Sequence, residues 1–293
     1  MGVKSLMEQS KKQELIKEFL ELIDDEKTNE NDIQRYLEEH SEMIPLPILL
    51  NHHLNFRSII SKLPLGREYK TDFAYLTKSS TGWNLVLIEL ESSHKKIFTK
   101  DKKNPKLTQA FNNARDQVNN WKAYVQKNYE KVRDSVKNLL QPINMRDNIL
   151  EVKYVLIIGR SDNAKLSEKE RELLQTEKQA GIEVMTYDSL INHFYLNQSN
   201  PKNILTQVQD HGFRMKYFAP EVSNNLLSYL TPDKLIISKE IKEQMKAEGY
   251  DIDNWEEGHL LSVNGRSVSW SNESNGNSYL AKLIDEFNAT NSN

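Results

Sequence analysis

The stretch Trp83-Asn84-Leu85-Val86-Leu87-Ile88-Glu89-Leu90-Glu91 holds the residues of this chain best suited to chemistry. Strand alternation sets Leu85, Leu87, Glu89 and Glu91 on one face and Val86, Ile88 and Leu90 on the other, so an apolar strand ends in two carboxylates pointing the same way. Burying ionised carboxylates without compensation costs several kcal/mol each. Either a lysine or a hard divalent cation, whose natural shell is oxygen, must then sit beside them. In the run before it, Lys70, Asp72, Ala74 and Leu76 share a face, and a hairpin turning at Ser79-Ser80-Thr81-Gly82 brings Asp72 near Glu89. An Asp and a Glu on neighbouring strands, both reaching one Mg²⁺, would hold the ion that polarises a phosphate and activates water. The same residues also read as surface acids at a solvated hairpin end.

Two more polar residues lie on apolar helical faces. Gln117 falls between Ala114, Val118 and Trp121, and Glu30 sits one helical row from Ile33 and Leu37, where the first-turn dipole also favours an acid. Directly after the carboxylate strand, the loop from Lys95 to Lys106 carries six lysines (95, 96, 100, 102, 103 and 106) and a single acid, Asp101. Such a cluster suits a phosphate backbone held by salt-sensitive contacts, and it also suits a solvated loop. His52-His53 and His94 have no ligand partner at helical spacing, so a transition-metal site is disfavoured. No nucleophile elbow supports Ser/His/Asp catalysis, and no glycine-rich phosphate loop is found in a chain with 10 glycines.

The elements that must position these groups follow from periodicity. Ser5 to Asp25 is an amphipathic helix, and a second helix, capped near Thr28 or Asn29, runs to about Glu39 before the proline-broken stretch Pro45 to Pro47. Phe56–Ile60, Tyr69–Leu76 and Asn84–Glu91 are expected strands. Lys106 to Lys127 is a long helix with Leu107, Ala110, Phe111, Ala114, Val118, Trp121 and Val125 on one face. Val152–Ile158 is a buried strand, Ser167–Ala180 a capped helix ending at Gly181, and Ile182–Tyr187 a further strand. The order is one helix, three strands, a helix, a strand, and then an extra αβ unit.

Polar, asparagine-rich stretches at 197–220 and 271–277 suggest a boundary near residue 200. The expected organisation is an N-terminal helix (1–27), a main α/β domain (28–199) and an accessory α+β region (200–293). In the last, Ser238 caps a helix from Lys239 to Glu248, and Trp255 to Arg266 reads as a hairpin around Asn264-Gly265. No chemistry attaches to this region.

The chain has 293 residues with 38% hydrophobic and 28% charged content, a mean hydropathy of -0.69, and apolar runs far short of a membrane span. A folded, soluble, non-secreted protein is expected. The absence of cysteine excludes thiolate metal sites, disulfides and thiol nucleophiles and fits a cytoplasmic location. A net charge of -3 means that any nucleic-acid contact must come from a local basic face.

Taken in order, an acid in the first helix, Thr71-Asp72-Phe73, Ile88-Glu89-Leu90-Glu91, Ala114-Arg115-Asp116-Gln117-Val118-Asn119-Asn120-Trp121, Tyr154–Arg160 and Ile182–Leu190 resemble the nuclease-like domain of the Shedu anti-phage defence proteins, within the PD-(D/E)xK superfamily. The resemblance covers about residues 28 to 195. It implies a restriction-endonuclease-like αβββαβ core, a Mg²⁺-dependent (or Mn²⁺-dependent) DNA endonuclease, DNA as partner, a homo-oligomer and a phage-derived trigger.

Carried over by residue, the resemblance makes Asp72 and Glu89 metal ligands with the Leu90 carbonyl as a third, gives Glu30 (alternatively Glu38) the first-helix acid, and makes Gln117 a support for the site. Lys95, Lys96, Lys100, Lys102 and Lys103 would then hold the nucleic acid. Glu91 stands where the superfamily motif has its lysine, which reverses the sign of the local field. Either Glu91 joins the metal site and a lysine arrives from elsewhere, with Lys70, Lys95 and Lys96 as candidates, or the site is degenerate and the protein only binds nucleic acid or a partner protein.

Overall fold

Alternation of buried side chains along two long strands sets the architecture of the computed structural model, which describes residues 3–161, 166–196, 200–208, 212–220 and 225–262. In β5 (Gly82–Leu90) and β6 (Ile149–Ile157), Leu85, Leu87 and Leu156 face one core while Val86, Ile88, Val155 and Ile157 face another. Both faces are apolar because the sheet is covered on both sides.

An eight-stranded sheet results, in the order β10-β9-β8-β1-β4-β5-β6-β7. Its other strands are β1 (Ser58–Ser61), β4 (Phe73–Lys78), β7 (Ile182–Met185), β8 (Asn203–Gln207), β9 (Phe213–Tyr217) and β10 (Leu235–Ile236). The short β2 (Pro64–Leu65) and β3 (Tyr69–Lys70) form a separate hairpin. On the first face lies α3 (Gln109–Lys127), which buries Phe111, Ala114, Val118, Trp121 and Val125, is capped by Thr108 and is followed by the short α4 (Tyr129–Ser135). The second face is covered by α1 (Val3–Asp24), α2 (Glu30–Glu39) and α6 (Tyr187–Leu196), through Phe19, Ile23, Ile33, Leu37, Tyr187 and Leu190. Helix α2 starts at Asn29, whose side chain accepts from Asn31 and Asp32 N–H in a capping box.

The expected αβββαβ succession is present as α2, β1, β4, β5, α3, β6, with β5, α3 and β6 forming a parallel crossover. Helix α5 (Glu168–Gln179), capped by Ser167, leads into β7 parallel to β6. The chain is an α/β protein. Two expectations for the sheet change. Tyr69–Leu76 is two strands, because up to Lys70 the backbone pairs with β2, whereas from Phe73 it pairs with β5. The boundary near residue 200 does not divide the sheet, since β8 pairs in parallel with β1 from Ser58↔Asn203 to Ser61↔Thr206.

Beyond the sheet, α7 (Lys239–Ala247) is capped by Ser238 as expected. The expected hairpin begins instead in α8 (Ile252–Glu256), with the Trp255 indole donating to the Leu230 carbonyl at 2.7 Å, while Asn264-Gly265 lies outside the described residues. Among the described residues no helix is long and apolar enough to cross a membrane.

Candidate metal and phosphodiester site

Asp72 sits where β1, β4 and β5 meet. The antiparallel β4–β5 ladder ends at Phe73↔Ile88, and Asp72 donates its N–H to the Ile88 carbonyl at 3.1 Å while its own carbonyl accepts the Lys62 N–H at 3.0 Å. Its carboxylate is held from both sides: Oδ2 accepts the Leu90 N–H and Oδ1 the Lys62 ammonium, each at 2.7 Å. Such charge-assisted bonds fix the side chain against the end of β5.

Glu89 faces α3. One oxygen, Oε1, accepts the Gln117 amide, and Oε2 is buried with no hydrogen-bond partner. The residue is 5% exposed. Burial first, then the negative charges of Asp72 and Glu91, push its carboxyl far above the ordinary range, with Lys62 opposing. An orphaned buried carboxyl oxygen is uncommon, since buried polar atoms are almost always bonded.

Glu91, one residue past the strand, is paired with Lys95, which also reaches Glu30 at 3.2 Å. Burial raises the Glu91 carboxyl in spite of Lys95. Glu30 in turn accepts the Ser92 N–H at 3.1 Å, and the Tyr187 hydroxyl donates to the Glu91 carbonyl at 2.7 Å. Just past the end of β5, Glu91, Lys95 and Glu30 therefore form an ion-paired triad.

Glu30, Gln34 and Glu38 are four residues apart and form one polar row along α2. At one end Glu30 joins the triad. In the middle Gln34 donates to the Asp72 carbonyl and to Ser61 Oγ, both at 3.2 Å. At the other end buried Glu38 accepts from the Ser61 hydroxyl and, at 2.5 Å, from Lys216 of β9. The row thus fastens the end of β5, Asp72, β1 and β9 to a single helix.

Asp72, Glu89, Glu91, Gln117 and Glu30 are thereby brought to one end of the β4–β5 pair. Lys70 is not. It lies exposed on β3 opposite Pro64, on the far side of the strand break from Asp72, so the two do not share a strand face. The loop after β5 is pinned by the Phe98↔Leu107 bridge and by Thr99 N–H on the Lys106 carbonyl at 2.8 Å, and it leaves Lys96, Lys100, Lys102 and Lys103 exposed. Of its lysines, Lys95 turns back into the triad. Lys62, Gln34, Ser61, Lys216 and Tyr187 escaped sequence reasoning. A signal existed for Gln34 alone, as the middle of a four-residue polar spacing beside Ile33 and Leu37.

Oxygen donors suit Mg²⁺ or Mn²⁺ here. Such ions are often held by only one or two carboxylates, with waters and substrate phosphate completing the shell. The unpartnered Glu89 Oε2 beside Asp72 fits that pattern. Among the described residues no group of three or more His, Cys, Asp or Glu side chains is placed to hold a metal, so a ligand set here would draw on at most two such side chains.

The family model described as "Shedu protein SduA, C-terminal" matches residues 27–191, more than half of the chain. No curated protein matches it.

Proposed function

The chain belongs to the Shedu family, and on that premise we propose that it is a metal-dependent nuclease hydrolysing phosphodiester bonds of DNA in anti-phage defence. The observation that carries this reading is the buried, half-bonded Glu89 carboxyl beside Asp72 at one end of the sheet. In this reading Asp72, Glu89 and the Leu90 carbonyl hold Mg²⁺ or Mn²⁺. When bound, such an ion polarises a phosphate oxygen and lowers the pKa of attacking water.

The chain's own groups do the rest. Gln117 holds Glu89 by one oxygen and leaves the other unbonded, and the Leu90 N–H and Lys62 hold Asp72 in place. Lys100, Lys102 and Lys103 hold the backbone of the DNA beside the site. Further copies of the chain and a phage-derived trigger complete the partners.

Purified protein with Mn²⁺ is expected to nick or linearise supercoiled DNA, with Glu89→Ala inactive though folded. The Glu91–Lys95–Glu30 triad supports a second reading, a protein that binds DNA without cutting it. DNA retarded on a gel but left intact by the metal-loaded protein would select that reading.

A further inference from the structure

Building on the nuclease reading, we propose that Lys62 is a catalytic residue, its ammonium lying against a non-bridging oxygen of the scissile phosphodiester. The residue that follows Leu90 at the end of β5 is an acid, Glu91, and the nearby Lys95 is bound by two acids, so that triad offers no free positive charge. Lys62 reaches the site from the end of β1 instead. Its ammonium bonds Asp72 Oδ1 at 2.7 Å, and its side chain remains 39% exposed, which leaves room for a further oxygen. It lies close enough to Glu89 for its charge to oppose those of Asp72 and Glu91.

The backbone supplies an independent observation. Lys62 has φ of 53°, the left-handed region that a residue with a Cβ rarely adopts. Its N–H bonds the Asp72 carbonyl, so the strained residue is fastened to Asp72 by main chain and side chain together. Strain of this kind persists where surrounding structure imposes it, and such positions cluster at functional sites.

In the hydrolysis, water oxygen bonds to phosphorus, one P–O ester bond breaks, the water gives up a proton to solvent, and the leaving oxygen takes one up. Lys62 stays protonated throughout and offsets the charge gathering on the phosphoryl oxygens. It exchanges no proton.

Lys62→Gly and Lys62→Arg, assayed beside Glu89→Gln, test this in the full chain. Glycine accepts a positive φ, which offsets the lost ion pair with Asp72, so the Tm of Lys62→Gly is expected to change little. Mn²⁺ binding measured by calorimetry is expected to be no weaker, because a cation competing for Asp72 Oδ1 is gone. Cleavage of supercoiled DNA is expected to fall about 100-fold, the typical loss on removing one charge-stabilising group, and Lys62→Arg is expected to retain more activity than Lys62→Gly.

A Lys62→Gly protein that cleaves at the wild-type rate would overturn the assignment while leaving the nuclease reading intact. So would one that loses stability and activity together, with Lys62→Arg restoring both in step, which marks a structural ion pair. Wild-type protein that leaves DNA whole in Mn²⁺ would overturn the nuclease reading and the role of Lys62 with it.

Discussion

Gln117 on α3 donates to one oxygen of Glu89 and leaves the other buried and unbonded, so a single carboxyl is anchored on one side only. Altering Glu89 separates its shape from its charge. Glu89→Gln keeps the shape of a neutral carboxyl group and removes its ability to become a charged ligand. Its Tm near neutral pH is expected to stay close to wild type, while the Tm increase caused by Mn²⁺ disappears. A dye-binding thermal scan with and without Mn²⁺ reads both, and an undiminished metal effect in the variant would remove Glu89 from the ligand set.

The proton on Glu89 links stability to pH. Burial, then Asp72 and Glu91, raise this carboxyl from 4.5 to about 10. Between those values the folded protein holds a proton that the unfolded chain has released. The stabilising contribution is full below the lower value and is lost as pH rises toward the upper one. One proton gives at most about 1.4 kcal/mol per pH unit. The stability of metal-free wild type relative to Glu89→Gln is therefore expected to decline steadily through the neutral range in urea titrations. A difference that is flat with pH would show that Glu89 ionises normally.

What was legible in the sequence was what neighbouring residues decide. Asn29 and Ser167 cap their helices through their own next turns, α3 shows its buried face at helical spacing, and the alternation in β5 already sets Glu89 apart from Ile88 and Leu90. The convergence of Asp72 and the end of β5 was legible because one hairpin joins them. Lys62 was not, since its approach depends on β1 pairing with β4 rather than on any local pattern, and the break between Lys70 and Phe73 depends on β2 capturing β3. Nor was the reach of the main sheet past residue 200, since the pairing of β8 with β1 joins residues far apart in the chain.

That pairing has a consequence for truncation. Removing everything after residue 199 would strip β8 from β1 and bare a strand containing buried Ile59 and Ile60. Exposed apolar strand edges invite aggregation. The truncated protein is expected to be insoluble or unfolded by circular dichroism, although it retains the whole family match at 27–191. A soluble, cooperatively folding 1–199 fragment would establish the boundary read from composition.

Lys216 tests the same coupling without deleting the strand. It is the ion-pair partner of buried Glu38, whose other oxygen takes the Ser61 hydroxyl, and Ser61 accepts from the Gln34 amide that also holds the Asp72 carbonyl. Lys216 is 43% exposed on its side chain, so water can partly replace it. Lys216→Met is expected to cost about 1–3 kcal/mol, the range for leaving a buried polar group underbonded, and Glu38→Gln in that background is expected to recover part of the loss. Chemical denaturation of the two variants and the double variant decides it, and strict additivity would mean that Glu38 and Lys216 do not act as a pair.

The lysine loop makes a separate demand on DNA binding, because its exposed ammoniums lie on the surface and its backbone is pinned independently by the Phe98↔Leu107 bridge. Substituting Lys100, Lys102 and Lys103 together by glutamine leaves that bridge and the Asp72–Glu89 pair untouched. If these lysines neutralise phosphates, each releases counterions on binding, and the slope of log affinity against log salt should become shallower by about 0.9 for each phosphate that the variant leaves unneutralised. Binding titrations of duplex DNA at a series of salt concentrations, in Ca²⁺ to prevent cleavage, measure that slope. Equal slopes for wild type and the triple variant would mean the loop is only a solvated turn, and the DNA path would then have to run over the β2–β3 side of the site, where Arg67 and Lys70 are exposed.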